Sequence, residues 1–259
     1  MNRLLLILIS LLPWSSIAQN DTINQTDANG IKQGFWIKNY DDGSKQAEGF
    51  FKDGKQIGEF NHYYPMGKVQ TKIKHRENSD TSDAVYFHEN GKLMGEGYYI
   101  SEKKDGLWLF YDDMTQLSSA EVYKAGLLHG ESKTFYLNKK LAKQVNYENG
   151  IESGDYLEYF ESGTIKEQGA FLEGEKHGII KQFYPSGSIK TYGNYARGKR
   201  HGEWVYYDAK GLVRAKEMYR YNKLQKQNLS DEAKEEKKEH KKNVDLKRGD
   251  YIPEGTIDE

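Results

Sequence analysis

Apolar and polar positions alternate with a period of two in short runs along most of this chain, and glycine-rich breaks separate the runs. That pattern predicts half-buried strands rather than helices. The stretch "FYPSGSIKTYGNY", Phe183 to Tyr195, is representative: an apolar run, a Pro-Ser-Gly turn, then a second run. It reads as a β-hairpin.

The breaks follow a clock. Gly30, Gly54, Gly126, Gly150, Gly174 and Gly198 fall on one 24-residue grid, and Gly34, Gly58, Gly106, Gly130, Gly154, Gly178 and Gly202 on a second, four residues later. Asn78 and Ser82 break the grid in the third repeat, and Glu102 breaks it in the fourth. Rings keep the same time. One series is Tyr63, Phe87, Tyr111, Phe135, Tyr159, Phe183 and Tyr207, and Asn39 holds that slot in the first copy. A second is Phe51, Tyr99, Tyr123, Tyr147, Phe171, Tyr195 and Tyr219, with His75 in the gap. A third, less regular, is Trp36, Phe60, Trp108, Tyr156 and Trp204. A turn glycine recurs at Gly43, Gly67, Gly91, Gly163, Gly187 and Gly211.

Eight hairpins of this kind in series predict an all-β fold: an elongated, single-layer antiparallel meander of about sixteen strands and roughly 75 Å, spanning residues 30–223. Equivalent rings then stack into ladders at about 10 Å per repeat. Residues 19–29 read as a linker. Residues 224–259 leave the grid as a charged tail in which Ser230 caps a helix running to about Lys247, with no apolar stripe to dock it.

The residues "YGNYARGKRHGEWVYY" (Tyr192 to Tyr207) and "GAFLEGEKHGIIKQFY" (Gly169 to Tyr184) resemble the MORN repeat, in which an aromatic precedes Gly-Lys-x-x-Gly and a second aromatic. The 24-residue spacing is similar to the variant found in bacterial YwqK-family antitoxins. The resemblance implies an open sheet that binds or scaffolds, with no catalytic residues to carry over.

Composition narrows the function. Residues 1–18, with Arg3, an apolar run from Leu4 to Leu12 and small residues at Ser16 and Ala18, read as a signal peptide cleaved after Ala18. The run is shorter than a bilayer span needs, so export to the periplasm, envelope or exterior is expected, without an integral membrane span. A net charge of −1 gives no electrostatic case for nucleic acid, and the absence of cysteine rules out thiol chemistry and disulfides.

"GFFKDGK" (Gly49 to Lys55) and "GNYARGK" (Gly193 to Lys199) mimic a phosphate loop but lack the Ser or Thr and the strand-to-helix setting it needs. His129, His177 and His201 share one loop-edge slot, yet equivalent points about 10 Å apart cannot converge on a metal ion as zinc ligands must. No cofactor, metal or catalytic set is expected.

The rings remain. A single-layer sheet cannot bury both faces, so Trp36, Trp108, Tyr111, Tyr123, Tyr147, Tyr159, Tyr195, Trp204 and Tyr207 are the candidate binding ladder. A non-enzymatic protein that binds a macromolecule, foremost another protein, is the expectation. A toxin-neutralising antitoxin and a cell-envelope glycan-binding module are the alternatives, and both faces are candidates at this stage.

Overall fold

The computed structural model describes residues 22–249. The leader expected over residues 1–18 and the last ten residues of the tail lie outside the described residues. The strands are β1 (Gln25–Thr26), β2 (Lys32–Asn39), β3 (Lys45–Lys52), β4 (Lys55–Tyr63), β5 (Val69–His75), β6 (Thr81–Phe87), β7 (Leu93–Ile100), β8 (Lys103–Tyr111) and β9 (Leu117–Lys124). They continue as β10 (Leu127–Phe135), β11 (Leu141–Glu148), β12 (Ile151–Tyr159), β13 (Ile165–Leu172), β14 (Glu175–Phe183), β15 (Ile189–Ala196), β16 (Lys199–Tyr207), β17 (Val213–Arg220) and β18 (Lys223–Leu229). A single helix, α1 (Asp231–Gly249), follows.

Each strand pairs antiparallel with the next, giving one open meander of 18 strands. The all-β repeat architecture expected from the periodicity is present. It extends past the ring grid: β18 adds a strand to β17 where the polar composition reads as tail.

Two kinds of turn alternate. On one edge, a two-residue turn joins the strands, as at Asn149 and Gly150, with φ of 51° and 84°. Positive φ at both central positions matches the right-handed twist of a hairpin. On the other edge a five-residue loop, such as 40–44, closes with Tyr40 N donating to Ser44 O at 2.8 Å, and Asp42 Oδ1 accepts from Ser44 N at 2.8 Å. The local carboxylate supplies the acceptor that makes Asp so common at these turns.

The second glycine grid marks bulges. Each regular repeat slips register between its two strands beside that glycine, as where Gly49 faces Phe60 but Phe50 faces Ile57. In the third repeat, where Ser82 replaces glycine, β5 and β6 pair with no slip, and a five-residue connection (76–80) stands in for the usual two. The 24-residue clock survives because the longer loop takes up what the bulge gives away.

Without a second layer, the core lies within one face of the sheet. Phe60, Ala84, Trp108, Ser132, Tyr156, Ile180 and Trp204 recur every 24 residues and all are buried. All the large members but Tyr156, which faces Val145, lie over a glycine of the preceding strand: a Cβ on Gly97 would sit 2.4 Å from Trp108 Cδ2, and one on Gly193 would sit 2.2 Å from Trp204 Cδ2. These glycines have no positive φ, so they are needed for space. Where the glycine is replaced by Ile73, the facing residue shrinks to Ala84. Volume lost on one strand is recovered on the other at this pair, as close packing demands.

Candidate binding face

Trp108 shows how a ring becomes buried on an open sheet. Gly97 lies beneath it, Tyr99 meets it edge-on at 5.0 Å, and Tyr86, Phe110 and Tyr123 surround it at 6.1, 6.1 and 6.5 Å. Lys104 Nζ sits 4.5 Å above the indole centroid. Its apolar stem supplies cover while the ammonium meets the negative ring face. Arg200 does the same over Trp204 at 4.6 Å, and Lys32 over Trp36 at 4.5 Å. The indole nitrogens are satisfied by carbonyls: Trp108 Nε1 donates to Tyr98 O at 3.1 Å and Trp204 Nε1 to Asn194 O at 3.2 Å.

The nine candidate ladder residues therefore divide. Trp36, Trp108, Tyr123, Tyr147, Tyr195 and Trp204 lie on one face, the ring face. Tyr111, Tyr159 and Tyr207 lie on the opposite face, because each follows Trp108, Tyr156 or Trp204 by three residues in the same strand and an odd step turns the side chain over. Tyr111 OH donates to Glu96 at 2.9 Å there, and Tyr207 stacks on Tyr192 at 6.2 Å. Trp108 and Trp204 are 0% and 2% exposed, so they cannot themselves touch a partner. The half-buried tyrosines carry the accessible surface.

Those tyrosines are wet at one end. Tyr123 OH donates to Glu121 Oε2 at 2.6 Å, Tyr219 OH to Glu217 Oε2 at 2.8 Å, and Tyr86 and Tyr99 hydroxyls lie 2.6 Å apart. Burial, then the hydrogen bond to Glu121, pushes the Tyr123 phenol well above its ordinary value. Glu167 is the most enclosed carboxylate. Burial pushes its carboxyl up, but hydrogen bonds from Lys176, Tyr156 (2.5 Å) and Gln182 (2.7 Å) outweigh that and hold it below its ordinary value. Burial lowers the Lys104 ammonium, opposed by Glu121. The face thus alternates rings, cations and carboxylates.

His129, His177 and His201 occupy β10, β14 and β16. The Nδ1 atoms of His129 and His201 are buried without a partner, and the His201 ring meets Tyr221 at 4.7 Å. No group of three or more His, Cys, Asp or Glu among the described residues could hold a metal ion.

One repeating contact escapes a search for ring slots. Tyr40, Tyr64, Tyr136 and Tyr184 each donate their hydroxyl to the carbonyl 23 residues on, at Tyr63, Phe87, Tyr159 and Tyr207 (2.6–2.9 Å). His88 makes the equivalent contact to Tyr111 O at 3.0 Å. The signal in the sequence is the residue directly after the ring slot, one position off the series that alternation selects. These bonds tie five repeats to the next along one edge, and Asp112 and Phe160 hold the slot where the tie is missing.

No helix among the described residues is long and apolar enough to cross a membrane. No curated protein matches the chain. Among solved structures, it aligns with TarM at 12% identity, over 49% of this chain and 20% of that one, with a TM-score of 0.21. It aligns with TcdB2-TccC3-TEV at 11% identity, over 78% and 14%, with a TM-score of 0.22. The third is a porin-like protein from Bacteroides uniformis ATCC 8492, at 8% identity over 76% and 96%, with a TM-score of 0.19. The chain spans only 20% and 14% of the first two. Its repeats do match a family: residues 83–101, 128–149 and 176–196 each fit the model of the MORN repeat variant.

Proposed function

We propose that the chain is an exported, non-enzymatic repeat protein whose ring face docks a protein partner. The observation that carries this reading is the row of half-buried Tyr99, Tyr123, Tyr147, Tyr195 and Tyr219, at a 24-residue spacing, on a face no other layer covers. Tyrosine supplies large, rigid contact area with a polar tip, and Tyr, Trp and Arg dominate the energetic centres of interfaces. The interleaved Lys104, Arg200, Glu121 and Glu217 add charge of both signs, which favours a protein over a polyanion. The leader-like residues 1–18 support export. The 24-residue spacing supports kinship with the YwqK-family antitoxins, in which case the partner is a toxin.

Photo-crosslinking in cells tests the reading. A crosslinker at Tyr123 or Tyr147, on the ring face, captures a discrete protein; one at Leu107 or Ile179, on the opposite face, does not. Equal capture from both faces, or from neither, contradicts it. Co-expression with toxins encoded beside the gene separates the antitoxin reading from docking in general.

A further inference from the structure

Four departures from the repeat grid near the third repeat line one cavity. His75 in the ring slot, Asn78 and Ser82 in the two glycine slots, and Glu102 in the next glycine slot meet around a notch of about 840 Å³ with Phe51 and Gln56. These four breaks in the pattern converge on one place. The slot that holds Lys32, Lys104, Lys176 and Arg200 in other repeats holds Gln56 and Asp80 here, as it holds Leu128 and Glu152 further along, and Lys32 Nζ lies 4.9 Å over the Phe51 ring.

The breaks have a conformational cost. Asn78 and Glu102 hold φ of 52° and 63° in a slot that is glycine in most other repeats, while Ser101, at 48°, takes the preceding turn position, where Asp53, Ala125, Asn149, Glu173 and Arg197 also hold positive φ.

The notch is polar and organised. Ser82 Oγ lies 2.8 Å from His75 Nδ1, and Gln56 Oε1 lies 3.2 Å from His75 Nε2. The Gln56 carbonyl can only accept, so Nε2 carries the proton and Nδ1 accepts from Ser82. That leaves the Gln56 amide free to donate and the Ser82 oxygen free to accept. Ser101 Oγ donates to Asp80 Oδ2 at 2.5 Å. The Asn78 amide and the Glu102 carboxylate make no hydrogen bond among the described residues. His75, smaller than the tyrosine expected there, opens the row between Phe51 and Tyr99.

We propose that this notch binds a neutral pyranose oligosaccharide. An apolar sugar face fits against Phe51, and vicinal hydroxyls suit the planar amide and carboxylate groups of Gln56, Asn78 and Glu102, which pair with adjacent donors and acceptors. The two carboxylates, Asp80 and Glu102, outnumber Lys55 and disfavour an anionic ligand. The volume admits more than one sugar ring. This site fills the gap that His75 leaves in the ring row, and its binding of sugar does not depend on the docking reading.

The test titrates the full mature chain with cellotetraose, chitotetraose and maltotetraose, with free glutamate and free lysine as charged alternatives, by NMR of backbone amides. The expected result is saturable shifts at residues 51–56, 75–82 and 101–102 with at least one of the sugars. Gln56→Ala should weaken binding about tenfold or more, the loss of one buried hydrogen bond. Glu102→Gly should weaken it likewise while its Tm equals or exceeds that of the parent, because glycine relieves the φ of 63°. A variant that is as stable but binds less excludes misfolding as the cause. The proposal is overturned if none of the sugars shifts these amides, if lysine or glutamate does so instead, or if both variants bind as the parent does. Crosslinking from Tyr123 is unaffected by either variant, so failure here leaves the docking reading to its own test.

Discussion

Gly193 shows what a single atom decides in this sheet. Its backbone is ordinary, yet an added Cβ would fall 2.2 Å from Trp204, whose ring is already fixed by Tyr195, Tyr219 and Arg200. Gly193→Ala is expected to destabilise by about 1–3 kcal/mol, the usual cost of overpacking, read as a lower denaturant midpoint. Glu167 makes the electrostatic counterpart. Its folded pKa lies below the ordinary 4.5, so its contribution is complete above that value and is lost as pH falls through the folded pKa. Glu167→Gln should therefore lower stability at neutral pH, by about 1–3 kcal/mol for a hydrogen-bonded charged group, and flatten the loss of stability on acidification. An unchanged acid slope in that variant would contradict the assignment. The ring slots were legible at this scale because alternation and the clock both mark them. Which rings of neighbouring strands share a face was not: Tyr111 stands an odd three residues from Trp108 and so opposes it, but the parity across strands depends on bulges that spacing alone does not mark. Nor was the burial of Trp108 and Trp204, which depends on lysine and arginine stems folding over from another position of the strand.

At the scale of the element, the unit is the hairpin with its two unlike turns. Each repeat touches its neighbours through the strand ladder, the Tyr hydroxyl contacts at one edge, and bonds such as Gly150 N to Leu128 O (2.7 Å) at the other. Stability should then be a sum over repeats and their interfaces. Deleting the 24 residues 150–173 joins equivalent points and should leave a folded, shorter sheet with unaltered far-ultraviolet circular dichroism per residue. Deleting twelve, 150–161, removes β12 and joins β11 to β13, two strands of the same direction that a short turn cannot pair, and should abolish cooperative melting. Equal tolerance of both deletions would refute the modular account. The repeat boundaries were plain in the sequence, but the end of the sheet was not. The strand β18 carries no rings and is exposed almost throughout, so its pairing with β17 rests on backbone hydrogen bonds and Gln227 to Glu217 (2.6 Å). The helix α1 begins as its cap foretells, with Ser230 Oγ accepting from Ala233 N at 3.2 Å. Its tie to the sheet through Arg214 and the carboxylates of Glu232 and Glu236 needed the structure. The notch at the third repeat was half legible: its four deviant residues stood out from the grid, but their convergence required knowing which strands are neighbours.

For the whole molecule, the docking proposal depends on one property: equivalent positions advance along a single open sheet, two strands per repeat, so that rows of rings and charges face one way. The absence of cysteine makes that advance directly measurable, because introduced thiols are the only ones present. Glu59, Leu107, Asp155 and Glu203 are exposed, share one slot on the face opposite the rings, and lie two repeats apart in succession. Spin labels on pairs of cysteine substitutions at these sites, read by pulsed electron–electron resonance, should give separations rising by about 19 Å per step, near 19 Å for 107 with 155, 38 Å for 107 with 203 and 58 Å for 59 with 203, somewhat shortened by sheet twist. Separations that stay flat, or that shrink for the most distant pair as in a closed barrel or compact domain, would contradict the open sheet on which the binding face rests.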